Sequence, residues 1–367
     1  MTIIDHHKAS VILGYGNRTW SMTDQLHKGI KSNRMKKLLL VKTSSMGDLI
    51  HTFPALTDLS RACPNQYEIT WVVEESFVDI AKMHPMTKEV IVFGSRRWKK
   101  HPLRRETWQE FTTFKSALRQ CKWDLIVDCQ GLIKSAIITK IAAQKGKIPT
   151  YSYAKESIRD PFAARFYQHG IRVDKGLTAI ERNRQLFAGI FHYKIDTPVD
   201  FGIQHWETRS PLTPDRPFAA LIHGTSAENK EWPEERWISI GNWLDEQGIA
   251  SILFWGNERE KARAERLAEE IPGAILMPKV SIAEAGLILS QATLIIAVDT
   301  GFAHLANTQD RPLIGLFLGS DAHYAGVIPT ANNPHAINLG GKGENPEVLE
   351  VIRAIESFQI LPEYPTE

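Results

Sequence analysis

Short runs of consecutive apolar residues alternate with longer stretches of helical period along most of this chain. Residues 38–41 (LLLV), 69–73 (ITWVV), 90–93 (VIVF) and 125–128 (LIVD) lack the polar alternation of a half-exposed strand. They suit strands buried on both faces of a parallel sheet. Between them, residues 76–84, 111–120 and 132–143 predict helices, with Phe111, Phe114 and Leu118 recurring at helical spacing. The alternation is that of βαβ units. The pattern weakens over residues 196–217, which hold four prolines and no sustained period. It then restarts with apolar runs at 218–222, 249–254, 294–298 and 313–317 and helical stretches at 233–247, 258–270, 301–308 and 347–358. Two doubly wound α/β domains are expected, one over 35–200 and one over 218–340, joined by a linker at 201–217. The C-terminal helix and tail, 341–367, are expected to cross back to the first domain. Residues 1–34 lack a comparable pattern and are expected to be a poorly ordered appendage, with Met22 and Met35 as alternative starts.

Composition narrows the class only modestly. Hydrophobic content of 43% and charged content of 23% are ordinary for a globular protein, and the formal net charge of +2 gives no global field for nucleic acid. Cys63, Cys121 and Cys129 form no C-x-x-C pair, which disfavours a thiolate zinc site and a disulfide framework and suits a reducing cytosol. No apolar stretch approaches the roughly 20 residues of a membrane span, and no secretory core precedes residue 35.

Three loops at strand ends carry the candidate chemistry, where open α/β sheets bind ligands. The first, Ser44-Ser45-Met46-Gly47-Asp48, delivers one carboxylate. Pro54 is tolerable only in a first turn, so a helix is expected to begin just after Asp48. There Asp48 is either a proton acceptor for a bound substrate or a helix cap. The second, residues 223–232 (HGTSAENKEW), offers Thr225, Ser226 and Lys230 to phosphate oxygens ahead of a helix; a solvated surface loop is the alternative. The third, residues 298–304 (VDTGFAH), places Asp299 before Thr300 and Gly301, whose amides can face a phosphate, with His304 about one turn on. Asp299 can position a ligand hydroxyl or cap the helix, and His304 can equally be a satisfied core histidine.

The one dense basic cluster is Arg96-Arg97-Trp98-Lys99-Lys100, followed by Arg104 and Arg105. It can grip anionic groups, with Trp98 available for stacking, or be a solvated loop. Gln130, in the strand-end sequence DCQG at 128–131, can floor an acceptor pocket or serve a structural turn. No D-x-D occurs, and a metal bridging a diphosphate usually needs closely placed carboxylates.

Taken in order, KTSSMGDLIHTFPALTD at 42–58, WVVEE at 71–75, RRWKK at 96–100, DCQGLIKSA at 128–136, KEWPEERW at 230–237, WGNERE at 255–260 and VDTGFAHL at 298–305 resemble glycosyltransferase family 9, the lipopolysaccharide heptosyltransferases. The TSSMGD and QGLIKSA versions are closer to type I members than to type II. The resemblance implies the GT-B architecture, with two Rossmann-like domains facing across a cleft. It implies inverting, metal-independent transfer of heptose from ADP-L-glycero-β-D-manno-heptose to a Kdo hydroxyl of Kdo-lipid A, with no cofactor. It places Asp48 as catalytic base and Lys230 at the departing diphosphate. Thr225, Ser226, Glu260 (on the ribose), Asp299, Thr300, Gly301 and His304 fall on the donor side. Ser45, Gly47, Arg96, Arg97, Lys99, Lys100 and Gln130 fall on the acceptor side. It further implies a cytoplasmic protein, peripheral at the inner membrane and without a nucleic-acid partner. Three features depart from the family pattern: Gly319-Ser320-Asp321-Ala322 stands where a G-x-T-D-P-like turn is common, Val280 where a larger side chain is expected near adenine, and residues 1–34 have no counterpart in the family pattern. Heptosyltransferase II, another GT-B nucleotide-sugar enzyme and a non-enzymatic two-lobed binding protein are the rival readings.

Overall fold

A computed structural model describes residues 34–203 and 208–361. The expected disorder of residues 1–34 therefore falls outside the described residues apart from Arg34, as does the end of the expected tail.

The first lobe runs β1 (Lys36–Val41), α1 (Met46–Ile50), α2 (Phe53–Ala62), β2 (Tyr67–Glu74), α3 (Val78–Met83), β3 (Thr87–Phe93), α4 (Ser95–Lys100), α5 (Arg105–Gln120), β4 (Leu125–Asp128), α6 (Ile133–Ala142), β5 (Thr150–Tyr153), β6 (His169–Ile171) and α7 (Ala179–Phe191). The second lobe runs β7 (Phe218–Ile222), α8 (Glu234–Glu246), β8 (Ala250–Leu253), α9 (Glu258–Glu270), β9 (Ile275–Leu276), α10 (Ile282–Leu289), β10 (Leu294–Val298), α11 (Gly301–Asn307), β11 (Leu313–Phe317), α12 (Ala322–Ala325), β12 (Ala336–Gly340) and α13 (Val348–Ser357).

Both sheets have six parallel strands in one order. The first is β3-β2-β1-β4-β5-β6 and the second, read from its other edge, β9-β8-β7-β10-β11-β12. Each sheet therefore reverses direction beside its first strand, between β1 and β4 and between β7 and β10. Loops leaving these pairs diverge and open a crevice for ligands. The apolar runs follow from this layout: Leu38 to Val41, Leu294 to Val298 and Leu313 to Phe317 are buried on both sheet faces.

Four local readings change. Helix α1 begins at Met46, so Asp48 is its third residue rather than the residue before it, and Pro54 opens α2 instead. The RRWKK segment lies in the helix α4, and Trp98, half-buried, packs its indole edge-on against Phe93, Phe111 and Phe114. That packing removes Trp98 as a stacking platform. The next helix starts at Arg105, six residues before the apolar period. Finally, α13 does not return to the first lobe. Val351, Ile355 and Phe358 join Trp232 and Trp237 in the core of the second, and Trp232 Nε1 donates to Pro346 O at 2.8 Å. An apolar helix face docks where apolar surface is nearest, and α8 supplies it.

The start of the chain between the lobes is tied to both of them. Arg184 on α7 grips Asp58 on α2 with two bonds, of 2.7 and 3.0 Å, and donates to Thr197 O at 2.9 Å. Both charges are buried, so removing either partner strands the other at a cost of about 3–5 kcal/mol. On the far side, Ala331 N donates to Val199 O at 2.9 Å.

Candidate active site

The switch-point loops of both sheets converge on one cavity of about 880 Å³. Ser45, Gly47, Asp48, His51, Phe77 and Arg159 line it from the first lobe, and Ser226, Lys230, Glu260, Asp299, Thr300 and His304 from the second.

Asp48 is presented by the turn from β1 into α1. Its Oδ2 accepts from Ser45 N at 2.9 Å and Ser45 Oγ at 3.1 Å. Its Oδ1 lies 3.9 Å from Lys42 Nζ, and the side chain is 26% exposed. Burial opposes ionisation, but Lys42 and the Ser45 amide outweigh it and hold the carboxyl below its usual value. The group is thus anionic at neutral pH and still reachable from the cavity.

The turn is braced from β4. Gln130 Oε1 accepts from Thr43 N at 3.0 Å and Ser44 N at 3.3 Å. Asp128, fully buried, accepts from Gln130 N, Gly131 N and Tyr167 OH at 2.9, 3.0 and 2.6 Å. Gly131 supplies the left-handed backbone that this turn needs, at φ +67°. Gln130 is therefore buried in the bracing of the loop and does not line the cavity.

In the second lobe, Lys230 Nζ lies 2.6 Å from Asp299 Oδ2, which also accepts from Ser320 Oγ. Thr225 turns away from the cavity and donates to Asp299 O at 2.9 Å. The lysine loop is clamped by α9. Arg259 donates to Thr225 O at 2.8 Å and pairs with Glu231 at 2.8 Å, and Arg263 pairs with Glu231 at 2.6 Å and donates to Trp232 O. Between these two arginines on α9, Glu260 projects into the cavity and accepts from Gly256 N at 2.7 Å.

Helices α1 and α11 touch across the cleft. A Cβ on Gly47 would lie 2.5 Å from His304 Cδ2, and one on Gly301 would lie 2.9 Å from Met46 Cβ. His51 Nε2 and His304 Nδ1 meet at 3.2 Å. Burial pushes His304 down to about 4 and His51 well below the ordinary histidine value.

The basic cluster behaves differently from expectation. Arg97 is held by Glu75 and Glu110, while Lys99 and Lys100 are exposed; none of the three lines the cavity. Arg96 does not line the cavity either; its guanidinium sits 5.6 Å from the ring of Phe77, which does. The departing Gly319–Ala322 turn, by contrast, does enter the site through Ser320 and Asp321, and Val280 lines it beside Ile282. Arg159, His51, Trp255 and Tyr324 are lining residues that the motifs did not single out. His51 and Trp255 were visible in the quoted KTSSMGDLIHTFPALTD and WGNERE segments, but no local pattern marks Arg159 or Tyr324. Among the described residues, no cluster of three His, Cys, Asp or Glu side chains could hold a metal ion.

Two doubly wound lobes whose switch-point loops close on one cavity define the GT-B architecture, with a site of nucleotide-sugar size. E. coli heptosyltransferase WaaC with ADP-2-deoxy-2-fluoro heptose has this fold, with a TM-score of 0.78 and 34% identity over 88% of this chain and 99% of that one. Lipopolysaccharide heptosyltransferase 1 of Pseudomonas aeruginosa is 40% identical over 79% of this chain and 81% of its own length. The E. coli K12 protein of that name is 37% identical over 87% of this chain and all of its own. The chain belongs to glycosyltransferase family 9 (heptosyltransferase), whose model matches residues 111–352. Its reaction is heptose transfer in lipopolysaccharide core synthesis.

Proposed function

We propose that the donor is ADP-L-glycero-β-D-manno-heptose, that the acceptor is a Kdo hydroxyl of Kdo-lipid A, and that Asp48 is the general base. The acceptor hydroxyl gives its proton to Asp48. Its oxygen attacks the anomeric carbon from the face opposite ADP, and the bond to the β-phosphate oxygen breaks with its electron pair leaving on ADP. The configuration inverts in this single displacement. Lys230 and the amides at the start of α11 stabilise the departing diphosphate. Asp299 pairs with Lys230, and the diphosphate competes for the lysine on binding. Glu260 is suited to the ribose hydroxyls, and Arg96 and Arg159 to the anionic acceptor. No metal is needed for this charge bookkeeping.

The observation that carries the reading is an ionised, half-buried Asp48 aimed into the same cavity as Lys230. A carboxylate of low pKa is a weak base, so orientation supplies much of the rate. The acceptor is lipid-anchored, and among the described residues no helix is long and apolar enough to cross a membrane. Contact with the cytoplasmic face of the inner membrane is therefore proposed to be peripheral.

The test is ADP release from ADP-heptose in EDTA, with and without Kdo-lipid A. Acceptor-dependent release is expected. Equal release in both arms would remove Kdo-lipid A as substrate, and a requirement for added divalent ion would remove the metal-free mechanism.

A further inference from the structure

The turn between α4 and α5 has no role in the cavity and an unusual surface. Leu103 at its tip is 93% exposed, and Trp108, in the first turn of α5, is 62% exposed. An isolated exposed apolar side chain is ordinary. Here the two lie within five positions in a segment of extreme charge. Residues 95–119 carry eight Lys and Arg against two Asp and Glu, a net +6 in a chain whose total is only +2. Lys99, Lys100, Arg104 and Arg105 are all exposed, and none makes an ion pair among the described residues. Of the two acids, Glu110 is engaged by Arg97 and Trp98. The neighbouring helix α6, packed beside α5, adds Ile133 and Ile137, exposed one turn apart.

The placement is as informative as the composition. Both helices start at the C-terminal edge of the first sheet, the edge that faces the cleft. The patch therefore lies at the rim of the lobe that carries Asp48.

We propose that the α4–α5 turn is a membrane wedge that seats the first lobe on an anionic bilayer, with Leu103 and Trp108 entering the headgroup boundary and Lys99, Lys100, Arg104 and Arg105 facing lipid phosphates. This rests on the lipid-anchored acceptor proposed above and goes beyond it by naming the surface. Indole rings favour the membrane interface, and clustered Lys and Arg beside apolar side chains are the mark of an anionic-lipid surface. An acidic nucleic acid would be matched by the charge alone and gives no reason to expose Leu103 fully.

The test uses the full chain in flotation with phosphatidylethanolamine vesicles containing or lacking phosphatidylglycerol, at low and high salt. Wild type is expected to float with the anionic vesicles only, more weakly at high salt. Arg104→Gln/Arg105→Gln should lose about tenfold or more in partitioning, given the contribution of each surface cation. Leu103→Ser/Trp108→Ser should also lose binding, while its residual binding stays salt-sensitive. Both double variants should keep wild-type kcat/KM on a deacylated, water-soluble acceptor and lose it on acceptor embedded in vesicles. Wild-type flotation by the Leu103/Trp108 variant overturns the wedge and leaves the lipid acceptor standing. Equal loss on soluble and embedded acceptor also overturns it, by making the turn part of the active site. Wild type that never floats yet turns over the soluble acceptor overturns the wedge and peripheral attachment together. Concentration-dependent dimerisation abolished by the apolar variant would instead assign the patch to a second copy of the chain.

Discussion

His51 Nε2 and His304 Nδ1, 253 positions apart in sequence, meet at 3.2 Å and join the helix that carries Asp48 to the helix that follows Asp299. The contact needs one of the two nitrogens free of hydrogen, so the pair is neutral on at least one side. Burial keeps His304 at about 4, against the pull of Asp299 and Asp48. A histidine buried neutral binds fewer protons than its unfolded counterpart between pH 4 and 6.5, so stability falls as pH falls through that window. The full effect is about 3 kcal/mol for such a shift. His223, also buried and held to about 4, adds in the same direction. Urea unfolding midpoints should therefore drop steeply from pH 6.5 to 4, and His304→Gln should flatten the slope. A midpoint independent of pH in that range would contradict the neutral pair.

Asp48→Asn removes the base while keeping the shape. Turnover should fall by about 10²–10⁴-fold, the usual worth of general-base catalysis, with little change in melting temperature. Because the carboxyl of Asp48 is held below its ordinary value, its own acid limb in kcat/KM should lie below the normal carboxylate range. Near-normal turnover by the folded variant would exclude Asp48 from the reaction.

Lys230→Ala should weaken ADP binding by about 10- to 100-fold, since a hydrogen bond to a charged group is worth about 1.5–3 kcal/mol. Calorimetry with ADP measures this directly. Unchanged affinity together with unchanged kcat would take Lys230 away from the diphosphate and leave it as the partner of Asp299.

Gly47→Ala separates helix propensity from packing. In an open helix the change is favourable by up to about 1 kcal/mol. Here the new methyl would meet His304 at 2.5 Å, so the cleft contact must shift. Lower kcat/KM and a lower melting temperature are expected. A stabilised, fully active variant would show that α1 and α11 part freely.

Arg259→Met tests the clamp on the lysine loop. Arg259 is half exposed and holds the loop by Thr225 O and Glu231, so its loss should disturb Lys230 more than the fold. Donor KM should rise about 5- to 30-fold, as expected for about 1–2 kcal/mol of lost loop bonding, with a small change in melting temperature. A large thermal shift at constant KM would make the clamp purely structural.

The sequence by itself determined the strand-helix rhythm of both halves, because strands buried on two faces must be apolar throughout. It also marked the loops bearing Asp48, Lys230 and Asp299, because polar residues at the ends of such strands have no core to join. Short edge elements were not legible: β6 contains a glycine and no apolar run, and β9 is two residues long. Tertiary structure decided which marked residues point into the cavity. Gln130 and Thr225 have the right chemistry and position, yet each spends its polar group on the backbone of the loop beside it. It also decided that α13 covers α8 in the second lobe, because helix periodicity specifies an apolar face but not its partner. The meeting of Gly47 with His304 belongs to the same level. A residue's spacing along the chain fixes its place on an element, whereas contacts between lobes depend on how two separately folded sheets are brought edge to edge.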